Sequence, residues 1–247
     1  MIAVSIVSHG HGRMIDALLG DLAGCPEVTR VILTINVPEQ EPVVPAALSG
    51  RTVVLRNAAP KGFGANHNAA FAHSDAPYYC VLNPDVRFDG NPFPALLGCL
   101  REGAALCAPA VTSPDGAIED SARRFPGLLG LFAKLLGLAD GRYRYGRNDP
   151  PFHPDWVAGM FMLFPAVDYA ALGGFDEKYF LYYEDVDLCV RLWRSGRRIA
   201  LCPQAAVVHA AQRASHRNLR HLAWHLGSMA RYFIRHWGRL PAAGARR

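Results

Sequence analysis

Apolar positions in the first half of the chain fall into short blocks separated by stretches of helical spacing. Ile2–Val7, Val31–Ile35, Thr52–Leu55 and Tyr78–Leu82 are rich in β-branched or aromatic residues, as buried parallel strands are. Between them, Arg13–Ala23 and Phe63–His73 read as helices, the second opening after a glycine pair. Strand and helix alternating in this way predict an α/β chain: a doubly wound, mostly parallel central sheet with helices on both faces. Ligands are then expected at the C-terminal ends of the strands. From 113 to 154 the pattern loosens, and Arg123, Arg124, Arg142, Arg144 and Arg147 scatter through it. A long irregular segment inside a compact domain is a functional lid or a mobile loop. Regularity returns with a strand-like run over Trp156–Pro165, a helix over Glu184–Ser195 and an extended stretch over Ile199–His209.

The clearest helix is Asn218–Trp237. Leu219, Leu222, Ala223, Leu226, Met229, Ala230, Phe233 and Trp237 share one of its faces. That face, at Leu222, Leu226, Met229 and Phe233, is expected to pack on the body. Arg220, Trp224, Arg231 and Arg235 would then point outward, either as a solvated basic face or as a contact for an anionic membrane. No repeat, low-complexity tract or linker divides residues 1–247.

Composition narrows the class. Of 247 residues, 51% are hydrophobic and 19% charged, enough apolar surface to offset the entropy of ordering a core, so a mainly disordered chain is excluded. No apolar run approaches the roughly 18 residues of a membrane span. The N-terminus lacks a basic leader region and reads as a first strand, not a signal peptide. Six cysteines form no CxxC pair and sit among apolar neighbours, which suits reduced core thiols in a cytoplasmic protein. The formal charge of +5 is unevenly spread. Twelve Arg and no acid fall between Leu188 and Arg247, leaving fourteen basic against twenty-one acidic residues in 1–187, a net of −7. A basic C-terminal quarter on an acidic body suggests a polyanionic partner: phosphate, nucleic acid or an anionic membrane surface. No nucleic-acid motif accompanies the charge, so nucleic acid is not expected.

Four constellations could carry chemistry. Arg56 to Asn68 joins a strand end to a helix start, with Gly62 and Gly64 inside it. Either it is a plain capping turn, or its glycines and free N–H groups receive an anion. Asn83-Pro84-Asp85 ends the Tyr78–Leu82 strand, as an ordinary turn or as a carboxylate placed to hold a hard cation. Gly173 to Asp187 leads through Tyr179, Phe180, Tyr182 and Tyr183 into Glu184, Asp185 and Asp187. Acids in a first helical turn favour the macrodipole, but the aromatic approach suits a sugar-handling site with a general base. His209 ends a strand, where it is either structural or a ligand better suited to manganese than to magnesium.

In combination and in this order, these residues resemble the family 2 glycosyltransferases, in their bacterial rhamnosyltransferase-like branch. The resemblance runs from about Ile2 to Gly238 and includes Trp156-Val157-Ala158-Gly159 and Gly174-Phe175-Asp176-Glu177. It implies the A-type glycosyltransferase (GT-A, Rossmann-like) fold as a single domain. About 1–112 would be the nucleotide-sugar half, about 113–210 the acceptor and catalytic half, and about 211–247 a basic C-terminal helix. The activity implied is inverting, metal-dependent transfer of a sugar from a nucleotide-diphosphate sugar to a glycan or lipid-linked glycan acceptor, with a divalent metal, Mn2+ or Mg2+. By the same resemblance Asp185 is the catalytic base and Glu184 its acceptor-side neighbour. Asp85 and His209 are the metal residues. Ser8, His9, Asn36, Asn57, Gly62, Gly64, Asn68, Asn83 and Asp85 face the donor, and Trp156, Gly159 and Tyr183 the acceptor. Three positions depart from the family pattern. Asn83 replaces the first acid of its DxD motif, Ile35-Asn36 stands for Asp-Asn, and Ser8-His9-Gly10-His11 replaces a Tyr-Asn pair. The sugar expected is a deoxyhexose such as rhamnose, with a uridine-diphosphate hexose as the enzymatic rival. A non-catalytic fold docking on membranes or glycans is the rival of another class. The expected place is the cytoplasm or the inner face of the membrane.

Overall fold

A computed structural model describes residues 1–127, 130, 137–138, 140–209 and 219–243. Six elements of the first third of the chain follow the hydrophobic pattern. Strand β1 (Ile2–Ser8), helix α1 (Arg13–Ala23), β2 (Val28–Ile35), β3 (Thr52–Arg56), α2 (Phe63–Phe71) and β4 (Tyr78–Leu82) fall within a few residues of expectation. They are followed by β5 (Val86–Phe88), α3 (Phe93–Arg101), β6 (Ala104–Thr112), β7 (Ala122–Arg123), β8 (Trp156–Val157) and β9 (Phe161–Pro165). Helices α4 (Ala166–Leu172) and α5 (Glu184–Arg194), strand β10 (Arg198–His209) and helix α6 (Leu219–His236) complete the described chain.

Eight strands form one sheet in the order β3-β2-β1-β4-β9-β6-β10-β5. Strands β1 to β4 are mutually parallel, and β6 is parallel to β10. Strand β9 lies antiparallel between β4 and β6, and β5 antiparallel on β10. Because side chains alternate along a strand, β1 sends Ile2, Val4 and Ile6 to one core and Ala3 to the other. Ile15, Leu18, Leu19 and Leu22 of α1 cover the first. Tyr79, Val81 and Phe164 reach the second, with Tyr169 of α4 and Leu188, Cys189 and Leu192 of α5. All six cysteines are buried and unpaired. No helix among the described residues is long and apolar enough to cross a membrane.

Two features differ from the pattern. The Trp156–Pro165 run is two strands: Ala158-Gly159-Met160 interrupts it, sending Trp156–Val157 to β7 and Phe161–Pro165 into the main sheet. Strand β6 has no β-branched signal across Ala104–Ala110 and contains Pro109, yet every one of its residues is buried. The proline is accommodated because the register with β10 shifts between Cys202 and Ala206, immediately after Cys202 pairs with Pro109.

Helix α6 is rotated from the expected orientation: Phe233 packs on the body and Arg220, Arg231 and Arg235 are exposed as expected, but Trp224, expected outward, stacks on Phe180 at 4.6 Å between ring centroids. Leu222 and Leu226 are 53% and 48% exposed, while Ser228, Tyr232 and His236 are buried. The inner face is chosen by polar and aromatic partners. Ser228 Oγ donates to the Leu181 carbonyl at 2.9 Å, and His236 Nε2 meets Asp187 Oδ1 at 2.8 Å. Tyr232 packs against Tyr183 at 5.3 Å between ring centroids. Asn218, the expected first residue, lies outside the described residues.

Candidate active site

The C-terminal ends of β1, β2 and β3 are joined by asparagines. Asn36, buried at the end of β2, donates to the Lys61 carbonyl at 3.0 Å and to His9 Nδ1 at 3.1 Å. Its carbonyl oxygen accepts the Lys61 N–H at 2.9 Å and Asn57 Nδ2 at 2.8 Å. Asn57 also donates to Asn66 Oδ1 at 2.6 Å. The Ser8–Gly12 loop is held from outside by Glu39, whose carboxylate accepts Gly10 N–H at 3.2 Å and Gly12 N–H at 3.1 Å. Burial raises the Glu39 carboxyl, but hydrogen bonds from Ser8, Gly12 and Gly10 outweigh it and leave it below its ordinary value. Nothing in the sequence singles out Glu39, which stands in a proline-rich stretch three residues beyond Asn36.

The glycines at the start of α2 serve the protein's own packing. A Cβ on Gly62 would lie 2.7 Å from the Phe180 carbonyl oxygen, and one on Gly64 would meet Phe175 Cβ at 2.5 Å. Phe180 O accepts the Phe63 N–H at 2.9 Å, so this helix-start donor is not free for an anion. Asn68 is occupied as well. It donates to Phe175 O at 2.9 Å and accepts from Phe175 N at 2.9 Å and Tyr169 OH at 2.8 Å. Gly62 and Asn68 line an open cleft of about 550 Å3 with Lys61 and Glu177.

Asp85 and His209 meet beyond the ends of β4 and β10. His209 Nε2 lies 3.1 Å from Asp85 Oδ2, and its Nδ1 lies 2.8 Å from Glu119 Oε2. Hydrogen bonding to Asp85 outweighs desolvation and, with Glu119, raises the imidazole to about 9. Burial lifts the Asp85 carboxyl, but His209 holds it below its ordinary value. The second oxygen, Oδ1, is buried without a partner. An orphaned carboxylate oxygen beside an imidazole whose far nitrogen is fixed by a second acid fits a divalent cation such as manganese. Among the described residues no three such side chains form a complete ligand set, so any ion there would share itself with ligand oxygens. Glu119 lies in the loosely patterned segment, where no motif or periodicity marks it.

From this pair a hydrogen-bonded path leads to α5. Asn83, two residues before Asp85, donates its N–H to Met160 O at 2.9 Å. The neighbouring Gly159 N–H donates to Asp185 Oδ2 at 3.1 Å. On the other side Ala158 N–H reaches Ser121 O, close in sequence to Glu119. The interruption between β8 and β9 is thus hydrogen-bonded to the turn that carries Asp85 on one side and to Asp185 on the other. A Cβ on Gly159 would be 3.3 Å from the Phe63 ring, so a side chain at this crossing would press on that ring.

Asp185 is partly exposed. Desolvation raises its carboxyl, opposed by N–H donors from Gly159 and Val186. Glu184 is 6% exposed, and its Oε2 has no partner. Burial, reinforced by the Asp185 charge, pushes its carboxyl well above the usual range and favours its protonated form. Asp187 is fully buried and held below its ordinary value, because His236 and Arg191 together outweigh desolvation. Arg191 Nε meets Asp187 at 2.7 Å, the i,i+4 pair its spacing allows. The other Arg191 nitrogens donate to the Leu172 and Gly174 carbonyls. Tyr182 and Tyr183, immediately before the helix, both have positive φ, 70° and 64°. Trp156 donates Nε1–H to Arg124 O at 3.0 Å, and Arg123, paired with Asp120, adjoins it on β7. Of the remaining arginines of that segment, Arg142 pairs with Asp120 and Asp140 and Arg147 with Asp89.

Comparison with known proteins bears on this arrangement. No protein-family model matches the chain. It is 29% identical to the rhamnosyltransferase WbbL of Escherichia coli (strain K12), across 95% of this chain and 93% of that one. It is 35% identical to the N-acetylglucosaminyl-diphospho-decaprenol L-rhamnosyltransferase of Mycobacterium tuberculosis, across 65% of this chain and 57% of that longer protein. Among solved structures, GalNAc-T7 with UDP, GalNAc and Mn2+ superposes with a TM-score of 0.66 at 14% identity, over 88% of this chain and 44% of that one. The mannosyltransferase PcManGT of Pyrobaculum calidifontis, in complex with GDP-Man and Mn2+, gives 0.63 at 14% identity, over 95% and 64%. The chain is a glycosyltransferase with the A-type fold. Within that class its sequence is similar to those of rhamnosyltransferases.

Proposed function

We propose that residues 1–247 act as one inverting transferase unit that moves a deoxyhexose such as rhamnose from a nucleotide-diphosphate sugar to a glycan or lipid-linked glycan hydroxyl. The observation that carries this reading is the path Asp85–Asn83–Met160–Gly159–Asp185. It links, through the backbone, the turn of a carboxylate paired with a histidine to a second carboxylate whose affinity for a proton is raised. Names of the relatives support the sugar and the acceptor class. Asp85 and His209 would hold a divalent cation, which when bound would neutralise charge developing on a departing diphosphate. Glu119 orients the His209 ring so that Nε2 faces Asp85. The asparagine network of Asn36, Asn57 and Asn66 fixes the loops that receive the nucleoside. Asp185 Oδ1 and Oδ2, oriented by the Val186 and Gly159 N–H groups, accept the acceptor hydroxyl proton as it attacks the anomeric carbon. In-line attack inverts that carbon and needs no nucleophile from the protein. Trp156 and Tyr183 flank the acceptor side.

The test is a panel of nucleotide sugars, rhamnose and uridine-diphosphate hexoses included, assayed for transfer and for thermal stabilisation with Mn2+ or with chelator. Stabilisation by a nucleoside diphosphate should require the metal, and Asp85→Asn should abolish it while leaving the melting temperature of the free protein near wild type. Metal-dependent binding that survives Asp85→Asn would return this residue to a turn.

A further inference from the structure

Helix α6 carries an apolar stripe that the body does not use. Leu219, Leu222, Leu226, Ile234 and Trp237 recur at helical spacing along its 18 residues and are 83%, 53%, 48%, 83% and 64% exposed. Turning the stripe inward would cost the contacts of the opposite face, where Ser228 holds Leu181 and His236 holds Asp187. The helix is therefore fixed with its apolar side in water, which monomeric proteins rarely tolerate over a continuous patch.

Charge identifies what covers it. Arg220 and Arg231 lie along one flank, with Arg239 just beyond the helix, and all three are exposed, whereas Arg235 on the same flank is paired with Asp176 and Asp187 of the body. Arg220 sits over the Trp224 ring at 4.7 Å, an arrangement that keeps its cation at the surface. No acid occurs from Leu188 to Arg247, whereas residues 1–187 carry a net negative charge. A second copy laid on the stripe would bring two purely basic helices together. An anionic surface would meet the arginines favourably and repel the acidic body, fixing the orientation as well as the contact. An exposed apolar stripe with a cationic flank on a helix too polar to span is the signature of interfacial binding.

We propose that this face of α6 docks the protein on an anionic lipid bilayer. The inference deepens the functional reading in one respect, since a lipid-linked acceptor would be presented at such a surface. Its test does not depend on that reading. The full chain is sedimented with vesicles of phosphatidylcholine alone and of phosphatidylcholine with phosphatidylglycerol, at low and high salt. Binding is expected only to the anionic vesicles and should weaken as salt rises. The double variant Leu226→Gln/Ile234→Gln should bind at least tenfold more weakly, and Arg231→Gln/Arg239→Gln should lose most of its preference for anionic lipid. All of these side chains are exposed, so thermal stabilisation by nucleoside diphosphate should stay at the wild-type level and report an intact fold. Absence of binding to anionic vesicles at low salt overturns the proposal. So does a chain that dimerises through this face, with Leu226→Gln/Ile234→Gln becoming monomeric and vesicle binding unchanged. Vesicle binding without sugar transfer would sink the acceptor reading and leave this one standing.

Discussion

Glu184 and Asp185 are adjacent carboxyls set apart by what surrounds them. The Glu184 side chain enters the protein with one oxygen unpartnered, and burial favours its protonated form. Asp185 keeps an exposed edge and two backbone donors, so it remains able to ionise and to take a proton. Asp185→Asn should lower turnover by about 10²–10⁴ while donor affinity is retained, measured by transfer kinetics beside calorimetric donor binding. Transfer within a few-fold of wild type would remove Asp185 from the role of base. A protonated Glu184 predicts that Glu184→Gln, a neutral amide of the same shape, shows a loss below about 1 kcal/mol in denaturant unfolding. A larger loss would mean that Glu184 is charged in the folded protein. Asp85, Asp185 and His209 were singled out by the family resemblance, since a strand end or a helix start alone fits a turn or a structural side chain as well. Glu119 and Glu39 were not, since their partners are 90 and about 30 residues away along loops that carry no periodic signal.

At the scale of elements, Asp187 fastens α5 to its surroundings. It accepts from Arg191 on its own helix and from His236 on α6, and Arg191 in turn donates to the carbonyls that end α4. Breaking a buried charge pair typically costs about 3–5 kcal/mol. Asp187→Asn should therefore lower the melting temperature by roughly 6–20 °C for a chain of this size. A shift of only a degree or two in calorimetry would show that the network is dispensable. Gly64→Ala forces a methyl into the Phe175 side chain and should cost about 1–3 kcal/mol, read from urea midpoints. Element by element, the parallel half of the sheet was readable from Val, Ile and aromatic runs. Strand β6 was hidden because Ala, Cys and Pro bury well in a central strand without advertising it. The amphipathic pattern of α6 was visible, but periodicity reports that an apolar face exists and is silent about which neighbour covers it. Tertiary hydrogen bonds to Leu181 and Asp187 decided that question.

For the molecule as a whole, acid stability should follow the same Asp187 latch. Its carboxyl lies below the ordinary value in the folded chain, so the stabilisation is present above the unfolded value of about 3.9. It is lost as pH falls through the lower folded value. Urea unfolding across pH 2–6 should show a steep acid limb that flattens in Asp187→Asn, and parallel limbs in the two proteins would contradict the assignment. The paired tyrosines before α5 carry a consequence for dynamics. Each side chain in the left-handed region costs on the order of 1–3 kcal/mol, and such a conformation persists only where its surroundings over-determine it. Here the surroundings include α6, through the hydrogen bond of Tyr182 to His221 and the rings of His225 and Tyr232. The bend therefore behaves as a loaded spring whose catch lies some forty residues downstream. Loosening that catch should release the amides of 183–187 to deuterium long before those of β1 to β4 begin to exchange.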